Sequence, residues 1–348
     1  MTMKAYVFHG PNDMRHERVA KPEPGFGEAI VKVTLTTICG TDIHILTGGY
    51  PVKPGLIIGH EFVGVIDSLG LGVTGFQIGD RVAVGAITPC GQCFYCQNGV
   101  SSQCGGALGG WKFGNTINGA QAEYIKIPSA QANLAKIPND LTDEQVLFVG
   151  DIMTTGFSAS DNAPVRLGDS VVVYAQGPVG LCATAGAKLS GASLVIGVES
   201  IPSRQEMSKR MGADIVIDPT KEDPVAAVKG LTDGRGVDVA IEALGSSVTF
   251  ENALRSIRPG GILSSLGVYE GNIEIPLDAY GAGIADIKIV SSLCPGGSER
   301  LRRMMSIIKN RLDLTPLITH TFSLDDIAEG YRIFGGKLDG VLKVAIKP

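Results

Sequence analysis

The sequence predicts an α/β fold built on a doubly wound parallel sheet, with a domain of different character ahead of it, and three observations carry this. The stretch DSVVVYAQGPVGLCATAGAKLSGA reads as an apolar strand, a tight turn and a small-residue helix. A second strand, LVIGVE, follows and closes on Glu199. Four more apolar segments, DIVID, VDVAIEALG, GGILSSLGV and IKIVSSL, recur at the intervals of such a sheet, with helix-like segments between the earlier ones. The first half instead gathers four of the seven cysteines, in TPCGQCFYCQNGVSSQC.

At 348 residues the chain is long enough for two domains that each bury a core. Its 44% hydrophobic and 19% charged content is that of a globular protein rather than a disordered one. The net charge of -5, with acids and bases mixed, leaves no basic stripe for phosphates, so no nucleic-acid partner is expected. The opening MTMKAYVFHG lacks the apolar core of a signal peptide and reads as a first strand. An uncharged run from Ser170 to Ala187 raises the question of a membrane span. Gln176, Gly177 and Pro178 at its centre fit a buried strand, turn and helix better. A cytoplasmic protein without a membrane partner is the expectation.

In the first half, TICGTDIH and IIGHEFVGVI set Cys39, His44, His60 and Glu61 beside glycine at the ends of apolar runs. Any one alone reads more readily as core or surface than as a ligand; together they are harder to dismiss. Next, Cys90, Cys93, Cys96 and Cys104 follow C-x2-C-x2-C-x7-C, with Gly91 and Gly99 letting the backbone fold around a small centre. Thiols of a cytosolic chain stay reduced, so disulfides are not expected. Four thiolates suit tetrahedral zinc and leave no coordination position open, which makes that site structural. An iron-sulfur cluster and four unliganded loop thiols are the alternatives. Further on, LFVGDIMTTGF sets Asp151 after an apolar run that would normally exclude a carboxylate, since burying an unpaired charge is costly. Cys39, His60 and Asp151 offer one sulfur, one nitrogen and one oxygen, the mixed set of a catalytic zinc with a fourth position free.

The turn of the second half reads Ala175-x-Gly177-x-x-Gly180, a dinucleotide fingerprint with alanine for its first glycine. The strand before it, the helix after it and Glu199 at the end of the next strand supply the context of a Rossmann unit. The helix N-terminus near Pro178 and Val179 offers N–H groups to a pyrophosphate. Glu199 is placed to accept from the adenosine ribose hydroxyls and to repel a 2'-phosphate, so NAD(H) is the expected cofactor. Cys182, among alanines, reads as core. Past residue 295 come the basic amphipathic ERLRRMMSIIKNRL, whose charged face is expected to be solvated, and a final strand, LKVAIKP.

Cys39-Gly40-Thr41-Asp42, Gly59-His60-Glu61, the four-cysteine lobe and the Rossmann unit together resemble the medium-chain zinc-dependent alcohol dehydrogenases over essentially the whole chain. GGWKF, DIMTTGF and SLCPGG are most similar to the microbial secondary-alcohol, or isopropanol, dehydrogenases. The familiar members of that branch lack the four-cysteine zinc and prefer NADPH, whereas this chain keeps the cysteines and carries Glu199.

The resemblance implies a GroES-like β-barrel catalytic domain over 1–154 holding two zincs, with the structural lobe at 88–105, a Rossmann NAD-binding domain over 155–295, and a segment 296–348 that returns to the first domain. It implies an active site in the cleft and a homo-oligomer, a tetramer by likeness. Thr41 is implied to bond the substrate oxygen, His44 to pass its proton to solvent, Asp42 to orient His60, and Glu61 to approach the metal when water or product leaves. Thr155 is implied to contact the nicotinamide amide, Arg204 the adenosine ribose and Lys343 the pyrophosphate, with Ile87, Trp111 and Leu293 as an apolar substrate lining. The function expected is hydride transfer between a secondary alcohol, or its ketone, and NAD. A polyol or butanediol dehydrogenase of the same fold is the nearer rival; it would want a more polar pocket. A non-catalytic nucleotide sensor is the more distant one, and such proteins usually lose the zinc ligands or the proton relay.

Overall fold

The structure, a computed structural model, describes every residue from Met1 to Pro348. The chain forms two compact units, Met1–Thr154 with Cys294–Pro348, and Thr155–Leu293.

The first unit opens with the hairpin of β1 (Thr2–Gly10) and β2 (Asp13–Ala20), and β1 also pairs with the short β4 (Leu56–Ile57). Its main sheet contains β3 (Ala29–Thr37), β5 (Phe62–Leu69), β6 (Arg81–Val84) and β8 (Leu134–Lys136), each antiparallel to the next, with β7 (Tyr124–Ile127) also on β3. Alternation along β3 turns Ala29, Val31 and Val33 to one face, where they pack with Phe62, Ile66, Val82 and Phe113.

In the second unit, β9 (Ser170–Tyr174), β10 (Leu194–Val198), β11 (Ile215–Ile217), β12 (Val237–Glu242), β13 (Ile257–Ser265) and β14 (Lys288–Ser291) form one sheet. The order is β11-β10-β9-β12-β13-β14 and every pairing is parallel, the doubly wound arrangement expected from the spacing of the apolar runs. Helices Pro178–Leu189, Pro202–Arg210 and Pro224–Gly230 each begin on proline, which has no N–H to leave unpaired there. The strands are apolar on both faces because one cluster, around Val172, Tyr174 and Phe250, covers one side and another, around Val171, Val173 and Ala183, covers the other. The uncharged run resolves into β9, the turn and the helix Pro178–Leu189; no helix is long and apolar enough to cross a membrane.

The returning segment opens with the helix Ser298–Asn310, which buries Leu301, Met304, Met305 and Ile308 while Arg302 and Arg303 pair with Glu299 on its exposed face. It ends in β15 (Ile318–Ser323) and β16 (Lys343–Lys347), parallel to each other, with β16 antiparallel to β3. Between them the helix Ile327–Gly335 sets Ile327, Tyr331 and Ile333 into a cluster with Tyr6, Phe8, Ile38, Ile45 and Ile58.

Candidate active site and metal centres

Cys39 caps the helix Gly40–Thr47, and the carboxylate of Asp42 accepts its N–H at 2.9 Å, so the helix start fixes the thiol. His60 and Glu61 follow Gly59, whose φ of +94° only glycine adopts readily and whose missing side chain leaves room for Gln121. Asp151 follows Gly150 at the end of the turn Leu147–Gly150; a β-carbon on Gly150 would lie 2.1 Å from the Val84 carbonyl oxygen, so this close approach to β6 requires glycine. The ligand atoms of Cys39, His60, Glu61 and Asp151 all lie within 4.8 Å of one another. His60 Nε2 is 3.3 Å from Asp151 Oδ2, and Cys39 Sγ is 4.0 Å from the same oxygen.

This set fits a divalent cation. Glu61 Oε2 is buried without a hydrogen-bond partner, and the acids Glu61 and Asp151 share their surroundings with the single ammonium of Lys343. Burial pushes the Cys39 thiol up, so it needs a metal to become a thiolate ligand. Burial also works against a charged His60, but Asp42, Asp151 and Cys39 outweigh it and raise its pKa well above the usual value.

Lys343 departs from the role implied for it. Its side chain is 1% exposed, its ammonium lies 2.5 Å from Glu61 Oε1, and it donates to the Ile38 carbonyl at 3.1 Å. Burial opposes this charge, yet the Glu61 carboxylate, with Cys39 and Asp151, holds the amine above its ordinary pKa. An ammonium so engaged inside the first unit is not displayed to a pyrophosphate. Its partner lies 282 residues away in sequence, so no local pattern announced it.

The four lobe cysteines form a second set, again with all ligand atoms within 4.8 Å, and no cysteine is in a disulfide. Gly91 and Gly99 take φ of +78° and +76°, the left-handed turns that wrap the lobe. Backbone N–H groups of Cys96 and Gly105 help hold the Cys93 thiol down to about 6, while burial pushes Cys104 up to about 12. Asn133, unnoticed in the sequence, donates to the carbonyls of Pro89 and Pro128 and ties the lobe to the sheet. The closed sulfur-only donor set fits zinc.

Around the set of Cys39, His60, Glu61 and Asp151, Thr41 Oγ1 is 3.9 Å from Cys39 Sγ, and His44 follows one turn later on the same helix, exposed. Ile87 and Trp111 are brought together by an antiparallel bridge. Trp111 lies edge-on to His60 with ring centroids 6.2 Å apart, and the ring of Tyr50, which the sequence did not single out, lies tilted against Trp111 with centroids 4.8 Å apart. Leu293 is the last residue of the second unit, and its neighbour Cys294, in the first, faces the Gly150 and Asp151 carbonyls.

In the second unit Ala175 adopts φ +70°, the conformation a glycine would take in the fingerprint, and a β-carbon on Gly180 would sit 1.9 Å from the Ala175 carbonyl oxygen. Gly177 caps the helix that begins at Pro178 and Val179, and Gln176 braces the turn by accepting from Thr184 and donating to the Val173 carbonyl. Glu199 is 7% exposed and accepts from Gln176 N–H through one oxygen and from Ser200 and Ile201 N–H through the other. The Arg204 guanidinium approaches Gly177, and Thr155 lies half-buried at the start of the unit. A carboxylate the sequence did not single out, Glu242, is buried at the end of β12 and accepts from Leu244, Gly245, Thr249 and Tyr269.

Residues 25–139 match the family described as alcohol dehydrogenase GroES-like domain, and residues 178–310 match zinc-binding dehydrogenase. An alcohol dehydrogenase of Cupriavidus necator is 52% identical, with 99% of each chain covered. An NADP-dependent isopropanol dehydrogenase of Clostridium beijerinckii is 37% identical at the same coverage. Among solved structures, alcohol dehydrogenase TADH from Thermus sp. ATN1 is similar with a TM-score of 0.91 and 34% identity over 99% of both chains. A 2R,3R-butanediol dehydrogenase from Bacillus subtilis gives 0.86 and 28% over 99% of both. Two matched domains joined by whole-length likeness place the fold as a GroES-like domain with a Rossmann-type parallel sheet, and the chain belongs to the medium-chain zinc-dependent alcohol dehydrogenase family.

Proposed function

We propose that the protein interconverts secondary alcohols and ketones with NAD(H), using a catalytic zinc at Cys39, His60 and Asp151 and a structural zinc in the cysteine lobe. The observation that carries this is the convergence of sulfur, nitrogen and oxygen ligand atoms within 4.8 Å beside an apolar wall of Ile87 and Trp111. Zinc at that set would supply Lewis acidity to the alcohol or carbonyl oxygen. The nicotinamide would accept or supply the hydride. The chain's own residues do the rest. Thr41 and His44 are three apart on one helix, hence on one face, the first half-buried and the second exposed. A proton taken at the Thr41 hydroxyl therefore has an imidazole next in line toward solvent. Trp111 and Ile87 keep water from the reacting oxygen and favour alkyl substituents over hydroxyls.

For the cofactor, Glu199 supports NAD(H). Three backbone N–H groups fix its carboxylate, so it cannot withdraw from a 2'-phosphate, and the repulsion together with lost ribose contacts supports a preference of about a hundredfold or more. The relatives named NADP-dependent make this the point to test. NADH and NADPH oxidation with a panel of ketones and aldehydes, and NAD+ and NADP+ reduction with mono-alcohols and diols, should give the highest kcat/KM with NAD(H) and with a small methyl ketone or its secondary alcohol. Glu199→Gly with Ser200→Arg should move the preference toward NADPH. Equal kcat/KM for the two cofactors in the unaltered protein would overturn the NAD(H) assignment, and faster diol than mono-alcohol turnover would favour the butanediol reading. A homo-oligomer, by likeness a tetramer, is the assembly we propose, and sedimentation measures it.

A further inference from the structure

A buried hydrogen-bond chain runs outward from the catalytic set, and its outer members carry no ligand atom. His60 Nε2 faces Asp151, while its other nitrogen, Nδ1, faces Asp42 Oδ1 at 3.4 Å. Neither Nδ1 nor Oδ1 makes a hydrogen bond elsewhere. Asp42 Oδ2 accepts from the Cys39 N–H at 2.9 Å and from the Gln121 amide at 3.4 Å. Gln121 Oε1 in turn accepts the Tyr331 hydroxyl at 2.8 Å. Asp42 and Gln121 are fully buried and Tyr331 nearly so.

Chemistry fixes the direction of this chain. Burial raises the Tyr331 pKa well above its usual value, so the phenol keeps its proton and can donate. A carboxylate only accepts, so Gln121 satisfies both neighbours in one orientation, oxygen to the phenol and nitrogen to Asp42. The opposite orientation would set two acceptor oxygens against each other. Gly59 makes space for the amide, since a β-carbon there would come within 2.8 Å of Gln121 Cγ.

We infer that Gln121 and Tyr331 are positioning residues for the catalytic metal: they hold Asp42 where it accepts the Nδ1 proton of His60, which leaves the Nε2 lone pair for zinc. Partners one layer beyond a metal ligand fix its tautomer and ring orientation, and losing them typically weakens metal binding by about 10–100-fold. Tyr331 reaches this role from the returning segment, 210 residues from Gln121. The inference rests on Cys39, His60 and Asp151 being a zinc site.

Tyr331→Phe removes the hydroxyl and keeps the ring in its apolar cluster. The test holds the protein in zinc buffers of graded free concentration, alkylates it, and maps protection of Cys39 and of the lobe cysteines by mass spectrometry. In Tyr331→Phe the zinc concentration that half-protects Cys39 should rise about 10–100-fold, with that of the lobe unchanged. Gln121→Met should give a shift of the same size. In an Asp42→Asn background the Tyr331 substitution should add nothing, since its effect runs through Asp42. An unchanged Cys39 midpoint, or equal shifts at Cys39 and the lobe, would overturn the inference while leaving the zinc assignment intact. Absence of Cys39 protection in the unaltered protein would overturn the assignment and the inference with it.

Discussion

At Asp151 a carboxylate follows a glycine that must approach a strand, and that constraint brings one carboxylate oxygen within 4.8 Å of the ligand atoms of Cys39, His60 and Glu61. Asp151→Ala should therefore lose most of the metal at that set and nearly all turnover while NADH binding persists, as read by metal analysis and NADH fluorescence. Full metal content would move the third ligand elsewhere. His44→Ala should be milder, slowing the reaction mainly at neutral pH and recovering as hydroxide replaces the relay. The fingerprint turn gives a different residue-scale result. Ala175 holds φ +70° at a cost of about 1–2 kcal/mol for a residue with a β-carbon, whereas Gly180 has no room for one. Ala175→Gly should be neutral to stabilising. Gly180→Ala should destabilise by about 1–3 kcal/mol and weaken cofactor binding. The sequence showed only that a glycine was missing; that the alanine still takes the glycine conformation belongs to the backbone.

Strands and turns were legible because hydrophobic period and punctuation are local. The β9 run SVVVY, buried throughout, and the proline-started helix after the next turn are both written within a few residues. Pairings between distant elements were not. Asp238 on β12 accepts from Ser170 on β9 and from Arg258 on β13, tying three strands at one end of the sheet. Burial opposes its charge, but Ser170 and Arg258 outweigh it and hold its pKa below the ordinary carboxylate value. A carboxyl lowered by folding adds stability that is complete above its unfolded pKa of about 3.9 and is lost as pH falls through the folded value. Asp238→Asn should cost about 1–3 kcal/mol at neutral pH, with the gap to the unaltered protein closing in acid. Denaturant melts at both pH values read this directly, and a gap that persists in acid would mean that shape rather than charge matters. For the lobe, Cys93→Ser or Cys104→Ser should lower thermal tolerance more than turnover per folded molecule, because a zinc held by the four cysteines would cross-link a loop that presents Phe94 and Tyr95 to solvent.

For the molecule as a whole, chemistry is divided between the units. Both cysteine-containing sets that could hold a metal ion and the Thr41–His44 pair belong to the first, and the fingerprint turn, Glu199 and Arg204 belong to the second. Each unit has its own apolar clusters, so neither fold depends on the other's ligand for a core. Lys343 is the residue for which family likeness pointed to the nucleotide and the structure points to Glu61, and its burial in the first unit makes the division sharper. Metal removal and cofactor binding should then separate. Dialysis against a strong chelator should abolish turnover and lower the melting temperature, since zinc binding free energy is in part folding free energy of the unit that holds it. The same stripped protein should still quench with NADH, its dissociation constant changed by less than about threefold, because a change of about 1.4 kcal/mol would be needed for tenfold and neither set of possible metal-ligand atoms includes a residue of the second unit. Titration at a temperature below the stripped protein's melting point makes the comparison fair. Loss of NADH binding alongside loss of metal would show that the zinc-holding unit contributes directly to cofactor affinity, and would return attention to charged groups of the first unit as nucleotide contacts.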